Sequence, residues 1–419
     1  MARDFCAWRE TKHRRTCGSA RLCDKARRKN SRQGFLLLGA VVINEDVSFM
    51  QYFRELLKNI DLVLLFIPLV FAAISVIVIG STAYDDGFVF TRSMKVQLLA
   101  FCLGMVLLLL VLLVDYKILD GLGKIIYVAS LLFLLTVFLP VIGLEQYGSR
   151  GWLDLGPVNL QPAEIVKITF IICYAEFLSR RRESLFTFKG FLLACAAVLP
   201  VVGIIAVLQN DLGNAIVICV IAAIMLFAAG ADGKLYAKIA AAVVLLIPIA
   251  YRFMAGHQKD RIDAYLHPND LSLPGNYHVW QSKVAIGSGG IKGKGLFEGT
   301  QKELEFLPVQ DSDFIYSVIV EEWGFLGGSL IIGLYAIFLY RMLRIARNAK
   351  DLFGSLIVIG IFGMFFFQIF ENVGMTMGLM PVTGITLPFI SAGGSSVVTN
   401  MIALGLVLNI CIRSKVINF

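Results

Sequence analysis

Long apolar runs constrain this chain more than any other feature of it. From residue 61 onward, stretch after stretch comes close to the roughly 20 apolar residues that an α-helix needs to cross a bilayer. The runs fall near 61–80, 96–114, 125–143, 163–178, 190–208, 212–230, 236–254, 314–340, 352–372 and 395–412. The chain is 58% hydrophobic and 16% charged, against about half and a quarter in an ordinary soluble domain. That excess of apolar surface needs lipid as its solvent. The expected fold is therefore all-α: a polytopic membrane protein of about ten transmembrane helices, with a large extracytoplasmic loop between the seventh and eighth.

Charge sets the expected orientation, because short cytoplasmic loops collect Lys and Arg. Arg180, Arg181, Arg182 and Lys189 share one loop, and Arg341, Arg344, Arg347 and Lys350 share another. Lys117 with Lys124, Lys234 with Lys238, and Arg413 with Lys415 fall on the same side when the spans alternate. All five clusters then face the cytoplasm, and an even span count puts both termini there too. The other side receives 144–162, about 255–312, and the Gly/Pro-broken stretch 374–394. That last stretch is apolar but too interrupted for a plain helix. Non-helical backbone at membrane depth must be buried in protein or line a cavity, so a re-entrant or cavity-lining segment is expected.

The net charge of +8 is not a nucleic-acid footprint. Residues 1–49 hold eleven Lys/Arg and five Asp/Glu, or +6, which leaves only +2 for the rest. This tail has one short apolar patch, Phe35 to Ile43, too short to cross a bilayer. It reads as a disordered basic cytoplasmic tail, or as an upstream extension with Met50 the native start; a lipid-bound arm is the alternative. None of the eight cysteines has zinc-site or disulfide-framework spacing.

Ionisable residues inside apolar runs demand an explanation. Glu164 and Lys167 share one helix face at i,i+3, just after Pro162, which suits a first turn. They form either an internal ion pair or the polar wall of an outward cavity. Asp211, in a tight turn, is expected to cap the next helix. Glu321 and Glu322 are adjacent in the eighth span, and at least one must face a cavity or a partner. The polar segment from His257 to Asp313 carries Asp270, Lys283, Lys292 and Lys294 and a glycine-rich run from Gly287 to Gly295. Such a run can cradle an anion, with the lysines suited to pyrophosphate; the plain alternative is a flexible loop. No Walker spacing, His cluster, Ser-His-Asp set or Cys nucleophile is present, so any chemistry falls to carboxylates and lysines.

Several long motifs then come into view: RGWLDLGPVNLQPAEIVK (150–167), QNDLGNA (209–215), GNYHVWQSKVAIGSGGIKGKGLFEGTQKELEFLP (275–308), DFIYSVIVEEWGFLG (313–327) and GLMPVTGITLPFISAGGSS (378–396). In order, over roughly 55–415, they resemble the SEDS family, the RodA/FtsW/SpoVE group of peptidoglycan polymerases. The resemblance implies a ten-span fold with an outward cavity and glycosyltransferase activity on lipid II and undecaprenyl-pyrophosphate-linked glycan. It also implies a class B penicillin-binding protein as partner. The family's key acid precedes a Gly-x-Tyr-x-x-x-Gln-Ser pattern, here Gly275 to Ser282, and the matching residue is Asp270, with one extra residue in the spacing. The matched motifs also carry Arg150, Asp313, Ser391, Gly393 and Gly394, which with Glu164, Lys167, Lys283, Lys292, Lys294, Glu321 and Glu322 make the candidate substrate-binding set. Val309 and Asp311 stand where Glu and His are usual, and Trp323 where Leu is common, departures of the kind a divergent paralogue carries.

The implied reaction is an inverting sugar transfer with Asp270 as general base. Lys283, Lys292 or Lys294, or a divalent cation such as Mg or Mn, would stabilise the leaving pyrophosphate. No cofactor is otherwise called for. A lipid II flippase without bond chemistry and a scaffold for a transpeptidase are the alternative readings.

Overall fold

The computed structural model describes residues 59–82, 90–146, 148–154, 156, 159–254, 256–273, 275–299 and 310–415. The basic tail, Met50 and Val309 lie outside the described residues. Helices occupy all ten places where the sequence predicts spans: α1 (Leu62–Thr82), α2 (Arg92–Leu113), α3 (Gly123–Leu135), α4 (Pro162–Arg180), α5 (Phe188–Ala196, continued by Leu199–Gly203 and Ile204–Leu208), α6 (Leu212–Ala228), α7 (Gly233–Phe253), α10 (Ile315–Asn348), α11 (Leu352–Thr376) and α12 (Gly394–Lys415). Six of them, α1, α2, the whole of α5, α10, α11 and α12, are long and apolar enough to cross a membrane. Helix α4 carries Glu164, Lys167, Glu176 and Arg180 within its 19 residues.

Short polar residues start these helices where the sequence places them. Thr91, Asp232 and Asp351 each accept a hydrogen bond from a backbone N–H of the following first turn. Asp211 caps α6 as expected, with Oδ1 accepting from the Asn214 amide at 3.0 Å.

Helix α12 lies along α2, and α11 packs among α4, α6 and α10. Between α2 and α12 the backbones approach closely: a Cβ on Gly104 would stand 2.8 Å from Met401 Cγ, and one on Gly405 3.1 Å from Leu108 Cα. Small residues let helices pack this tightly in lipid, where no hydrophobic effect drives them together. The opposite face of α2 shows Leu99, Leu103, Val106 and Leu110 outward, as lipid contact requires.

One end of the bundle gathers the basic loops. Arg341 pairs with Asp61 at 3.3 Å, Arg413 with Asp115 at 3.2 Å, and Arg180 with Asp120 at 3.0 Å. The Tyr116 hydroxyl donates to Asp351 at 2.5 Å. Helix ends and loops far apart in sequence are thereby tied together, and Arg341, Arg344 and Arg347 stand within α10 rather than in a loop.

The other end carries the irregular structure. A small antiparallel sheet, β1 (Gly143–Gln146), β2 (Ser149–Asp154) and β3 (Asn159–Leu160), stands before α4, with Leu144 opposite Trp152 and Leu153 opposite Leu160. The sequence pattern gave no sign of it, because its strands are too short for a period to register. The long loop before α10 folds into two helices, α8 (Gly256–Leu266) and α9 (Asn276–Gly289). The stretch after α11 is non-helical and enclosed: Leu387, Phe389, Ile390 and Ser391 are all buried. Its carbonyls are taken up by side chains from the helices around it. Tyr335 donates to Pro388 O at 2.5 Å, Ser75 to Ile390 O at 2.6 Å, Gln97 to Ser391 O at 3.0 Å and Asn372 to Ile385 O at 2.8 Å. This is how irregular backbone survives inside a bundle.

Candidate active site

A cavity of about 250 Å³ opens at this irregular end, between α8, α9 and the stretch after α11. Helix α8 contributes Asp260, Arg261, Ala264 and Tyr265, a spacing that puts one helical face on the cavity. Helix α9 contributes Asn276, Val279 and Lys283 at i, i+3 and i+7, with His278 beside them. The floor is Gly378 with Met380, Pro381 and Val382. Two bonds fix α8 over that floor: Tyr265 donates to Leu379 O at 3.1 Å and Arg261 to Thr383 O at 3.3 Å.

Asp270 is not among the residues lining the cavity; it lies in the turn that joins α8 to α9, between the lining residues Pro268 and Gly275, and is exposed. The turn is built from its own polar groups. The Asn276 side-chain amide donates to His267 O and Asp270 O, both at 2.9 Å. Asp270 Oδ1 accepts from the Ser272 hydroxyl at 2.6 Å and the Ser272 amide at 3.0 Å. These two bonds, hydroxyl first, hold the Asp270 carboxyl below its usual value, with a smaller contribution from His267. The group is therefore ionised at neutral pH and aimed at water, as a proton acceptor must be.

Lys283 comes from the cavity wall, its Nζ 3.4 Å from where a Cβ on Gly378 would sit. Among the described residues it meets no carboxylate in an ion pair, so its charge is available to a ligand. His278 is kept neutral by burial, which lowers its pKa, and its Nδ1 has no hydrogen-bond partner. Asp313 is half-buried just before α10, and burial pushes its pKa up against the opposing pull of Ser312 and Arg261.

Other candidates have been spent on the fold. Lys294 pairs with Glu321 at 2.6 Å, Glu322 accepts from the Ser81 hydroxyl, and both glutamates are 1% exposed. The glycine-rich run is not a free anion cradle. Its backbone clasps α10 where Gly324 (φ +69) breaks the helix: Lys294 N donates to Glu321 O, Gly295 N to Glu322 O and Phe325 N to Gly290 O, at 3.0, 3.1 and 2.8 Å. A Cβ on Gly293 would stand 2.0 Å from Glu322 O, so only glycine fits there. Lys292 is exposed beyond the clasp and does not line the cavity.

Glu164 and Lys167 form a buried pair at 2.6 Å, which is the internal ion pair of the two readings open from sequence. Arg150 lies with its guanidinium 5.7 Å from the Phe138 ring centre, and its amide donates to Gln209 O. Ser391 donates to Ser312 O at 2.5 Å and accepts from Leu387 N. Gly393 N donates to Gln97, and Gly394 opens α12. Of the thirteen positions singled out from sequence, only Lys283 lines the cavity, and Asp270 lies in the turn between the lining residues Pro268 and Gly275. Arg261, Tyr265 and His278 also line the cavity and are not among the thirteen; the i, i+4 spacing of Arg261 and Tyr265 is the sequence signal that puts those two on one helix face. Among the described residues no group of three His, Cys, Asp or Glu side chains could hold a metal ion.

The FtsW/RodA/SpoVE family model, described as cell cycle protein, matches residues 54–416. The chain belongs to this family. Stage V sporulation protein E of Bacillus subtilis is 35% identical over 368 residues, covering 85% of this chain and 98% of that protein. Peptidoglycan glycosyltransferase MrdB of Escherichia coli K12 is 33% identical over 371 residues, covering 86% and 95%. Among solved structures, a chain of a peptidoglycan synthase complex, described as coordinating polymerization and crosslinking, superposes with a TM-score of 0.73 at 31% identity, covering 85% of this chain and 99% of that one. The rod shape determining protein RodA of Thermus thermophilus superposes at 0.63 with 30% identity, covering 86% and 98%. Family members and this chain thus share the helical membrane architecture along almost their whole length.

Proposed function

We propose that the chain is a peptidoglycan glycosyltransferase that joins lipid II units into glycan strands at the outer face of the bacterial cytoplasmic membrane. Relatives in Escherichia coli and Geobacter metallireducens are named peptidoglycan glycosyltransferase and probable peptidoglycan glycosyltransferase. The observation that carries the reading in this chain is the pairing of an exposed, ionised Asp270 with a cavity whose Lys283 has no acid partner among the described residues. Asp270 accepts the proton of the acceptor sugar's 4-hydroxyl as that oxygen attacks the anomeric carbon of the lipid-linked strand. The bond from that carbon to the pyrophosphate breaks, and the leaving group departs as an anion, so no second carboxylic acid is needed. Lys283 and Arg261 supply the positive charge that the leaving group meets.

The gathering of the basic loops at the far end supports placing that end, with both termini, in the cytoplasm. On this reading the unit Ile60–Phe419 is one ten-span domain. A class B penicillin-binding protein is the crosslinking partner, in keeping with the synthase complex that the chain resembles.

The test is the purified full chain with such a partner and labelled lipid II. Wild type is expected to form long strands and Asp270→Asn none. Normal strands from Asp270→Asn remove this residue from the chemistry, and no strands from wild type remove the polymerase reading.

A further inference from the structure

A second cavity, about 640 Å³, opens between α3, α4 and α5 at the basic end of the bundle, away from Asp270. Its origin lies in the sequence of α5. Pro200 has no N–H to give to Ala196 O, and the helix breaks after Ala196. Tyrosines from the neighbouring helices take up carbonyls at the break: Tyr127 of α3 donates to Ala197 O at 2.8 Å, and Tyr174 of α4 to Ala194 O at 3.3 Å. The two rings act as spacers, and a groove remains beside them.

The groove walls are apolar, with Val128, Phe170, Phe177 and Pro200, and its mouth is cationic, with Lys124, Arg180 and Arg181. Arg180 is already committed to Asp120 at 3.0 Å and Glu176 at 3.1 Å. The other Glu176 oxygen accepts from the amides of Gly121 and Gly123, so the acid that lines the groove is fully satisfied. Lys124 and Arg181 are exposed and meet no carboxylate in an ion pair among the described residues. The Arg181 guanidinium is held 4.6 Å from the Phe177 ring centre, at the lip rather than out in solvent.

An apolar slot between helices that ends in two uncommitted cations at the level of the basic loops matches a lipid with a charged headgroup. Its volume falls within the roughly 300–1,000 Å³ typical of small-molecule sites. A free anion would leave the apolar walls bare. We propose that this groove binds one anionic phospholipid from the leaflet at the basic end. An acyl chain lies along Val128, Phe170 and Phe177, and the phosphate rests on Lys124 and Arg181. The proposal does not depend on the glycan chemistry.

The experiment is native mass spectrometry of the full chain in mild detergent, titrated with phosphatidylglycerol. One tightly held lipid is expected for wild type. Lys124→Gln/Arg181→Gln should weaken it roughly 25-fold, the combined effect of two cations near anionic lipid at about tenfold per 1.4 kcal/mol. Cys173→Trp, which fills the groove and leaves the charges intact, should displace the lipid as well. Lys234→Gln/Lys238→Gln, at the same end but outside the groove, should leave it bound. Four results would overturn the proposal: unchanged binding by the Lys124/Arg181 variant, equal loss by the Lys234/Lys238 variant, equal binding of phosphatidylcholine, or displacement by millimolar inorganic phosphate.

Discussion

Replacing Lys167 with methionine removes the ammonium from a carboxylate that has nowhere else to turn. Lys167 is 0% exposed and Glu164 5%, their contact is 2.6 Å, and Glu164 Oε2 has no hydrogen-bond partner. Leaving such a charge buried and alone costs about 3–5 kcal/mol. At tenfold per 1.4 kcal/mol, that lowers the folding equilibrium constant by a factor between about a hundred and a few thousand. Removing both charges, in Glu164→Gln/Lys167→Met, takes away the desolvation cost along with the attraction and should restore stability to within about 1 kcal/mol of wild type, or above it. The assay is equilibrium unfolding in mixed detergent micelles, run as a double-mutant cycle. A single variant that costs under about 1 kcal/mol, the range of solvated ion pairs, would refute the reasoning. So would a double variant no more stable than the single. Either result would return the pair to the wall of a water-filled cavity.

Two further outcomes follow from the turn that holds Asp270 and from the cavity wall. The Ser272 hydroxyl is the largest influence lowering the Asp270 pKa, so Ser272→Ala should move the acid limb of the pH–rate profile to higher pH, towards the ordinary carboxylate value. Steady-state rates across the acid range check this, and a limb that stays put or moves down rules out Asp270 as the titrating base. Lys283→Ala should lower kcat by about 10²–10³, the size of a lost charge-stabilising donor, while Lys292→Ala, exposed and off the cavity, should change strand synthesis little. Equal losses from the two lysines would place the leaving group elsewhere.

Much of the architecture could be read from local order. A spanning helix satisfies its own backbone, so its length and apolarity are written in consecutive residues, and all ten predicted runs became helices. Caps are equally local: Asp211 and Pro162 act on the turns next to them, and both do so. The clustering of basic loops at one end followed from a one-dimensional count of Lys and Arg.

The site was only partly legible, because its members meet across long separations. Whether Glu164 and Lys167 face each other or water depends on what α11 and α12 bring against α4. The lysines at 283, 292 and 294 look interchangeable in sequence, yet one lines the cavity, one is exposed and one is bound to Glu321. The glycine run that looks like an anion cradle instead gives the Lys294 and Gly295 N–H groups to carbonyls freed at a break near Gly324, some thirty residues away. The sequence by itself determined the helices, their order and their charged end, since each rests on neighbours within a few turns. Only the tertiary structure decided which polar groups bond to one another and which keep a free valence for a ligand. That choice is made by desolvation and by partners brought together through packing.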